Sequence, residues 1–123
     1  MKRGFFQEIY DEVIPYVPDG FDKLIIYLEY GKNSYSFAFY AKINGKYVKC
    51  YDWPGFGEDV SWNVFKKIDE IASEERKETI GELWSNMTMT IGQDGSFHTD
   101  YDYTDLTDCA YAYKKEWKKK YLM

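Results

Sequence analysis

The first amphipathic pattern covers residues 5–14. Apolar side chains recur there at i, i+4 and i+8, which is the spacing of one face of an α-helix. Pro15, Pro18 and the Asp19-Gly20 pair follow and should end this helix. The apolar positions are Phe5, Phe6, Ile9, Tyr10, Val13 and Ile14.

Three strands are predicted after this helix. Residues 23–30 are β-branched and aromatic, residues 35–43 alternate between two faces, and residues 46–51 resume the strand pattern. Residues 31–34 form a predicted turn, and Asn44-Gly45 offers the two left-handed residues that a type I′ hairpin needs. The three strands should therefore form an antiparallel meander.

A second helix is predicted from about Val60 to Lys77. It follows a break of one proline and two glycines at residues 52–57. Ser61 is the expected N-cap, and the charge run at residues 74–78 is expected to be a solvated end. The apolar stripe consists of Trp62, Phe65, Ile68, Ile71 and Ala72.

Two further strands follow the second helix. Residues 83–91 alternate apolar and polar side chains, and residues 96–103 form the returning strand. Gln93-Asp94-Gly95 between them is typical of a hairpin turn.

The last helix is predicted from a cap at Thr107 or Asp108 to about Tyr121, with its cationic end matched to the helix dipole. The element order is then αβββαββα, with short links between the strands. This order predicts an α+β fold in which helices pack on an antiparallel β-sheet of about five strands, as one compact layer pair. The length fits a single domain over residues 1–123.

Aromatic residues make up 20% of the chain, including 13 Tyr and 4 Trp. Their large buried areas allow a core that needs no metal or disulfide. Some rings must stay at the surface, either as a binding face or as tolerated surface aromatics. Cys50 and Cys109 lie far apart and are expected to be reduced thiols.

The negative charge is unevenly distributed. The net charge is −5, but residues 114–120 hold five lysines and only one acid, Glu116. The remaining 11 basic and 20 acidic residues carry −9. Such a body repels phosphates, so direct binding of nucleic acid is not expected. The acidic excess suits either solubility or a basic protein partner.

The start of the chain has basic residues but no apolar stretch of the kind found in signal peptides. The longest uncharged apolar run, Leu24–Leu28, is far too short to span a bilayer. We therefore expect a cytoplasmic protein that does not bind membranes.

Enzyme chemistry finds little support in the sequence. His98 is the only histidine, and no Ser or Cys lies in a nucleophile elbow. One His and two distant Cys do not make a zinc ligand set. Gly55-Phe56-Gly57 precedes Glu58 and Asp59, which would repel a phosphate. We expect no catalysis, no cofactor and no metal.

The last predicted strand and the loop after it resemble two metal-dependent motifs. Asp100, Asp102 and Asp105 are spaced like the start of a calcium loop, but the loop's Gly is missing and Tyr111 replaces its Glu. The segment also matches the DxDxT string of haloacid-dehalogenase phosphatases, yet too few residues follow Thr104 for that fold. A metal-binding domain built on these acids remains an alternative function.

Acids interleaved with aromatics occur in the loop before the second helix and around the last strand. Charges of this kind speed the encounter with a basic protein, and aromatic rings anchor it once water is excluded. A merely soluble surface would also contain them. The candidate partner-binding residues are Asp52, Trp53, Glu58, Asp59, Asp100, Asp102, Asp105 and Asp108.

The last 40 residues resemble the YezG-like immunity protein family. Residues 84–91 are similar to its tryptophan strand, 94–97 to its G-x-F turn, and 100–103 to its acidic–tyrosine strand. Residues 117–122 resemble its closing W-x-x-x-Y-L signature, although Lys114 or Lys115 replaces the arginine that commonly precedes the tryptophan. The matching residues are Trp84, Gly95, Phe97, Tyr103, Trp117, Tyr121 and Leu122.

The resemblance implies that the chain neutralises a co-produced toxin, typically a polymorphic toxin with an LXG-type delivery domain and often a nuclease tip. The candidate partner-binding residues then become candidate toxin-binding residues. We interpret Trp84, Phe97, Trp117 and Leu122 as core that clamps the last helix to the sheet, and Gly95 as required for turn geometry. A small housekeeping interaction domain, including a homodimer formed through exposed aromatics, stays open as an alternative.

Overall fold

The computed structural model describes residues 3–31, 35–78, 84–103 and 110–122. Short 3₁₀ turns follow the first helix and the third strand, at Ile14–Tyr16 and Cys50–Asp52. The helices and strands are α1 (Arg3–Val13), β1 (Lys23–Tyr30), β2 (Tyr35–Ile43), β3 (Lys46–Lys49), α2 (Glu58–Glu78), β4 (Asn86–Gly92), β5 (Phe97–Asp102) and α3 (Ala110–Tyr121).

In the described ranges, the strands form one antiparallel sheet in the order β3-β2-β1-β4-β5. This arrangement confirms the predicted α+β fold and the β1-β2-β3 meander. The β2–β3 connection contains Asn44 at φ 52° and Gly45 at φ 81°, so both turn residues are left-handed, as predicted. The bounds of β1 and β2 agree with the alternation in the sequence.

The first face of the sheet packs against α1 and α2. Alternate residues of β1, namely Leu24, Ile26 and Leu28, are fully buried there. Helix α1 contributes Phe5, Ile9 and Val13, and α2 contributes Val64, Ile68 and Ala72. These positions follow the helical spacing, so the hydrophobic pattern determines which side of each helix meets the sheet.

The second face is covered by α3. Ile25, Tyr27 and Tyr40 point to this side, where the ring of Trp117 lies 4.6 Å from that of Tyr27 and 5.6 Å from that of Tyr40. The fold therefore has three layers, and the prediction of a single layer pair is wrong. The run Leu24–Leu28 is apolar at every position, so both faces of β1 need cover.

Several predicted boundaries shift. Helix α2 begins at Glu58, and Ser61 is a buried residue inside it whose hydroxyl donates to the Glu58 carbonyl, so the prediction of Ser61 as N-cap is wrong. Strand β3 ends at Lys49 instead of residue 51 because the chain turns into a 3₁₀ segment at Cys50. The predicted turn at residues 32–34, the start of the fourth strand at Leu83, the cap at Thr107 or Asp108, and Cys109 lie outside the described residues.

Candidate partner-binding surfaces

The predicted acids of β5 hold the last helix. Asp100 and Asp102 point to the α3 side of the sheet, where the Tyr121 hydroxyl donates to Asp100 Oδ2 over 2.6 Å and the Tyr113 hydroxyl donates to Asp102 Oδ2 over 3.1 Å. The bond from Tyr121, and to a lesser extent His98, lowers the pKa of the Asp100 carboxyl. Both carboxylates are therefore structural acceptors, even though each keeps some exposure to solvent.

The predicted acids before α2 are exposed. Asp52, Glu58 and Asp59 lie at the surface, and the two in the first turn of α2 are placed favourably for the helix dipole. Trp53, predicted as a contact residue, is only 3% exposed, and its indole Nε1 donates to the Val48 carbonyl over 3.0 Å. The expectation that Trp53 is available to a partner is wrong, because its ring packs into the core beside Phe39.

The structure does not bring the two predicted groups together. Asp52 follows β3 and Asp100 lies on β5, which are opposite edges of the sheet and about 19 Å apart at four strand spacings. Glu58 and Asp59 also start the helix that covers the other face. Asp105 and Asp108 lie outside the described residues. The two acidic segments identified in the sequence therefore lie on separate surfaces of the fold.

The residues shared with the family signature have different roles. Trp117 is 3% exposed and clamps α3 to the sheet, and Tyr121 and Leu122 pack around it. Gly95 has φ +88°, which supports its interpretation as a turn residue. Trp84 is also 3% exposed, but it packs in the core on the α1–α2 face, whereas Trp117 of α3 packs on the other face.

Two signature residues are at the surface. Phe97 is 47% exposed and Tyr103 is 48% exposed. The interpretation of Phe97 as core is wrong, because the edge position of β5 leaves one side of its ring without a neighbouring strand. The Phe97 ring instead lies 5.2 Å from that of Phe6 on α1.

The charge run at the end of α2 is only partly solvated. The Arg76 guanidinium lies 4.5 Å from the centre of the Tyr30 ring and 4.8 Å from that of Trp84, and it donates to the Trp84 carbonyl. Glu75 is 8% exposed. The expectation of a fully solvated end is therefore wrong for these two residues. Helical spacing could have predicted the burial of Glu75, since Ile68, Ala72 and Glu75 lie on the same buried face of α2.

An acidic groove runs between α1 and α2. Its volume is about 680 Å³, and Lys67 is the single basic residue among its described lining side chains. The α1 acids are spaced i, i+3 and i+4, and Glu70 and Glu74 of α2 are spaced i and i+4, which places these acids on the facing flanks, while Glu75 lies deeper, at 8% exposed. The acids of the groove are Glu8, Asp11, Glu12, Glu70, Glu74 and Glu75. The prediction missed this surface because these acids lie far apart in sequence.

An apolar groove of about 750 Å³ lies on the other flank of α1. The β4–β5 hairpin forms its opposite wall, and no charged side chain is among its described lining residues. The aromatic members are Phe6, Tyr10, Phe21 and Phe97. Helix α1 thus separates an acidic groove from an apolar one, and both reach its first turn at Gly4.

Basic residues are concentrated on the face of the sheet that α3 covers. A groove of about 530 Å³ between the β2–β3 hairpin and α3 is lined by Lys42, Lys46, Lys49 and Lys118, with no acid among its described lining. The charges are therefore unevenly distributed, because acids outnumber basic residues on α1 and α2, whereas α3 holds five lysines and one acid. A basic partner would be drawn to the α1–α2 layer.

The residues that could do chemistry lie apart from one another. His98 is exposed and its Nε2 lies 2.8 Å from Asp100 Oδ1, while the Cys50 thiol is buried and its pKa is raised by that burial. Within the described ranges, no group of three or more His, Cys, Asp or Glu side chains is placed to hold a metal ion. None of the helices described is both long enough and apolar enough to cross a membrane.

Comparison with known proteins identifies related sequences. A family model described as "Immunity protein YezG-like" matches residues 3–123. The chain is 26% identical over 114 residues to Immunity protein YezG of Bacillus spizizenii, covering 85% of this chain and 71% of that protein. It is 25% identical over 114 residues to Immunity protein YezG of Bacillus subtilis, covering 85% of this chain and 74% of that protein.

Proposed function

This chain belongs to the YezG-like immunity protein family, and from that premise we propose that it binds a toxin protein and neutralises it by stoichiometric association. In this proposal the chain performs no turnover and acts in the cytoplasm of the cell that makes the toxin. The toxin is a polymorphic toxin with an LXG-type delivery domain, and its active domain is a nuclease.

The acidic groove between α1 and α2 is the observation that supports a basic, nuclease-type partner. A nuclease must present positive charge to the phosphate backbone, so its substrate-binding surface is basic. Glu8, Glu12 and Glu70 offer that surface carboxylates with one lysine nearby, Lys67. Complementary charge of this kind raises the rate of association and disfavours partners of the wrong sign.

The predicted toxin-binding residues have different roles in this proposal. Asp52, Glu58 and Asp59 are exposed and remain candidates on the same side of the sheet as the acidic groove. Asp100 and Asp102 would act indirectly, because they hold α3 through Tyr121 and Tyr113. Asp105 and Asp108 remain predictions for a segment outside the described residues.

Co-expression with a toxin tests this function. The protein encoded by the reading frame next to this gene is expressed in a heterologous bacterium with and without the chain, and survival is measured. We expect survival only with the chain present, and a 1:1 complex when the two purified proteins are titrated. Survival that is equally low in both cultures would contradict the proposal.

Charge variants then test the acidic groove within an active pair. The triple variant Glu8→Gln, Glu12→Gln and Glu70→Gln should slow association and flatten its dependence on salt, because fewer charges attract the toxin. Glu116→Gln is the matched control, since Glu116 is an exposed acid on α3 at the opposite face. Equal association rates for the triple variant and the control would leave the immunity function intact but remove the groove from it.

A further inference from the structure

We infer that the apolar groove between α1 and the β4–β5 hairpin is the anchoring part of the toxin-binding surface, an inference that rests on the proposed function. The groove would take an apolar side chain from the toxin, and the acids around it would contact basic residues beside that side chain. This assignment concerns a flank of α1 that is distinct from the acidic groove, which faces α2.

Phe97 is the first reason for this inference. Its ring is 47% exposed on an edge strand, although it has one aromatic neighbour, Phe6, at 5.2 Å. Phe6 in turn lies 5.0 Å from Phe5, which is 3% exposed and fixed in the core. The exposed rings therefore rest on a rigid base, and an anchor that is already ordered loses little side-chain entropy when a partner covers it.

The charges around the groove are the second reason. Three acids contact lining residues of the groove. Asp11 Oδ1 accepts a hydrogen bond from the side-chain amide of Gln7 over 2.7 Å, the exposed Asp22 accepts the Gln93 N–H over 3.0 Å through its backbone carbonyl, and Asp94 Oδ1 lies beside Gly92. Asp11 also lines the acidic groove, so it lies between the two grooves on the outer side of α1. The Asp94 carboxylate accepts the backbone N–H of Ser96 over 2.9 Å, which lowers its pKa. The rim is thus acidic while the described lining of the groove is uncharged.

The same rim argues against a second copy of this chain as the occupant. Most homodimers are two-fold symmetric, so the same surface would meet itself. Asp11, Asp22 and Asp94 of one copy would then approach those of the other, and like charges at a rim oppose association. A basic partner meets the opposite situation, because its charges complement the rim while its apolar side chain fills the groove.

The experiment compares two exposed aromatics in an active toxin pair. The probe is the purified toxin protein against which the wild-type chain gives survival. Phe97→Ala should raise the Kd for this toxin at least tenfold, as expected when an anchor in a pocket is truncated. Tyr111→Ala is the matched control, because Tyr111 is 84% exposed on α3, at the opposite face of the sheet, and lies outside the groove. We expect the control to stay within twofold of the wild type.

A second variant probes the groove without changing its aromatic rings. Gln7 is exposed and lines the groove, so Gln7→Arg adds a positive charge where a basic partner would approach. We expect Gln7→Arg to raise the Kd at least tenfold, and Ala112→Arg at an exposed position of α3 on the opposite face to leave it within twofold. Thermal melts of all four variants should stay within a few degrees of the wild type, since none of the positions is buried.

The outcomes separate this inference from the proposed function. If the wild-type chain neither protects nor binds, the proposed function fails and the inference falls with it. If the wild type binds and both Phe97→Ala and Gln7→Arg bind equally well, the inference is wrong while the proposed function stands. A wild-type dimer that Phe97→Ala converts to a monomer, with unchanged toxin affinity, would likewise overturn it in favour of a second copy as the occupant.

Discussion

The indole Nε1 of Trp117 donates a hydrogen bond to Oγ1 of Thr88 across 2.9 Å, which ties α3 to β4. Both residues are buried, and the Trp117 ring also packs against the rings of Tyr27 and Tyr40. One side chain thus provides both the apolar and the polar attachment of the third layer. The packing of α3 should depend on it more than on any exposed residue of the helix.

Truncation of Trp117 tests that dependence. Trp117→Ala should lower the free energy of unfolding by about 3–5 kcal/mol, the usual cost of removing a large buried ring. Trp117→Phe keeps an aromatic ring but loses the bond to Thr88, and should cost about 1–2 kcal/mol. Urea unfolding measures both. Tyr111→Ala, at an 84% exposed position of α3, is the control, and an equal cost for the control would contradict the role of Trp117.

The bond from Tyr121 to Asp100 predicts an acid-sensitive attachment of α3. The pKa of Asp100 is lowered in the folded state, so its contribution to stability is present above the unfolded pKa near 3.8 and is lost as the pH falls through the folded value. Tyr121→Phe removes the principal cause of that shift. The difference in stability between wild type and Tyr121→Phe should therefore be about 1 kcal/mol at pH 6 and smaller at pH 3.

Urea unfolding at the two pH values checks this prediction. His98 and Lys120 also lower the pKa of Asp100, so His98→Gln serves as a control for the charge contribution. The unfolding free energy changes between pH 6 and pH 3 in the wild type. His98→Gln should retain more of this change than Tyr121→Phe does. A difference between wild type and Tyr121→Phe that is independent of pH would show that the hydroxyl does not act through this carboxylate.

The sequence predicted the sheet well because its signals are local. Alternation identifies β1 and β2, and Asn44-Gly45 specifies a turn that only left-handed residues can form. The third layer was missed for a different reason. Helix α3 has an aromatic stripe at i, i+4 and i+8, formed by Tyr113, Trp117 and Tyr121, and this face meets the sheet. The many lysines between these positions make the stripe hard to recognise in the sequence. The unbroken apolar run in β1 also indicated that both faces of the sheet are covered.

Lys114 predicts a dependence on alkaline pH. Its ammonium lies 3.8 Å from the centre of the Tyr27 ring, a contact that favours the charged form, but loss of hydration outweighs this contact and lowers the pKa of Lys114 to about 8. Between pH 8 and the unfolded pKa of 10.5, the unfolded chain holds a proton that the folded chain has released. By linkage, this group makes the folded state more stable as the pH rises, by up to about 1 kcal/mol per pH unit.

The measurement is the difference in unfolding free energy between the wild type and Lys114→Met, at pH 7.5 and pH 9.5. The difference should shift in favour of the wild type by about 1–2 kcal/mol over this range. Cys50 and the buried tyrosines titrate with the opposite sign, but they are present in both proteins and cancel. Lys115→Met, at an exposed position of α3, is the control for removing a lysine from this helix. A flat difference for Lys114→Met would show that Lys114 keeps an ordinary pKa.

The candidate binding surfaces were less predictable than the fold, because surfaces combine residues from distant segments. Asp100 and Asp102 looked like free acids in the sequence, yet the fold brings two tyrosines of α3 onto them. The acids of α1 and α2 are separated by about 60 residues and meet only when the two helices pack together. Composition correctly indicated an acidic body, but it could not indicate which acids face solvent together.

The metal-binding alternative gives a direct thermal prediction. Asp100 and Asp102 already accept hydrogen bonds from tyrosines, so a cation would have to displace them. We expect 5 mM CaCl₂ or MgCl₂ to leave Tm unchanged relative to NaCl of equal ionic strength. A site saturated about 50-fold would add roughly 2 kcal/mol and raise Tm by several degrees. Such a rise, removed by Asp100→Asn, would support a metal site.

Arg76 provides the last prediction, since its guanidinium lies over the rings of Tyr30 and Trp84 and donates to the Trp84 carbonyl. The two rings are inclined at 71° to each other, so a planar guanidinium can lie flat on one ring, contact the other and still donate, and a lysine ammonium cannot do all three. Arg76→Lys should therefore cost about 1–2 kcal/mol of unfolding free energy, and Arg76→Met a similar amount. Lys77→Met, at a neighbouring residue whose side chain is 74% exposed, should cost less than about 0.5 kcal/mol. Because Trp84 is a fluorophore beside the cation, Arg76→Lys should also change the intrinsic emission of the folded protein. Equal stability and emission for Arg76→Lys and the wild type would show that charge alone, and not the stacked geometry, matters at this position.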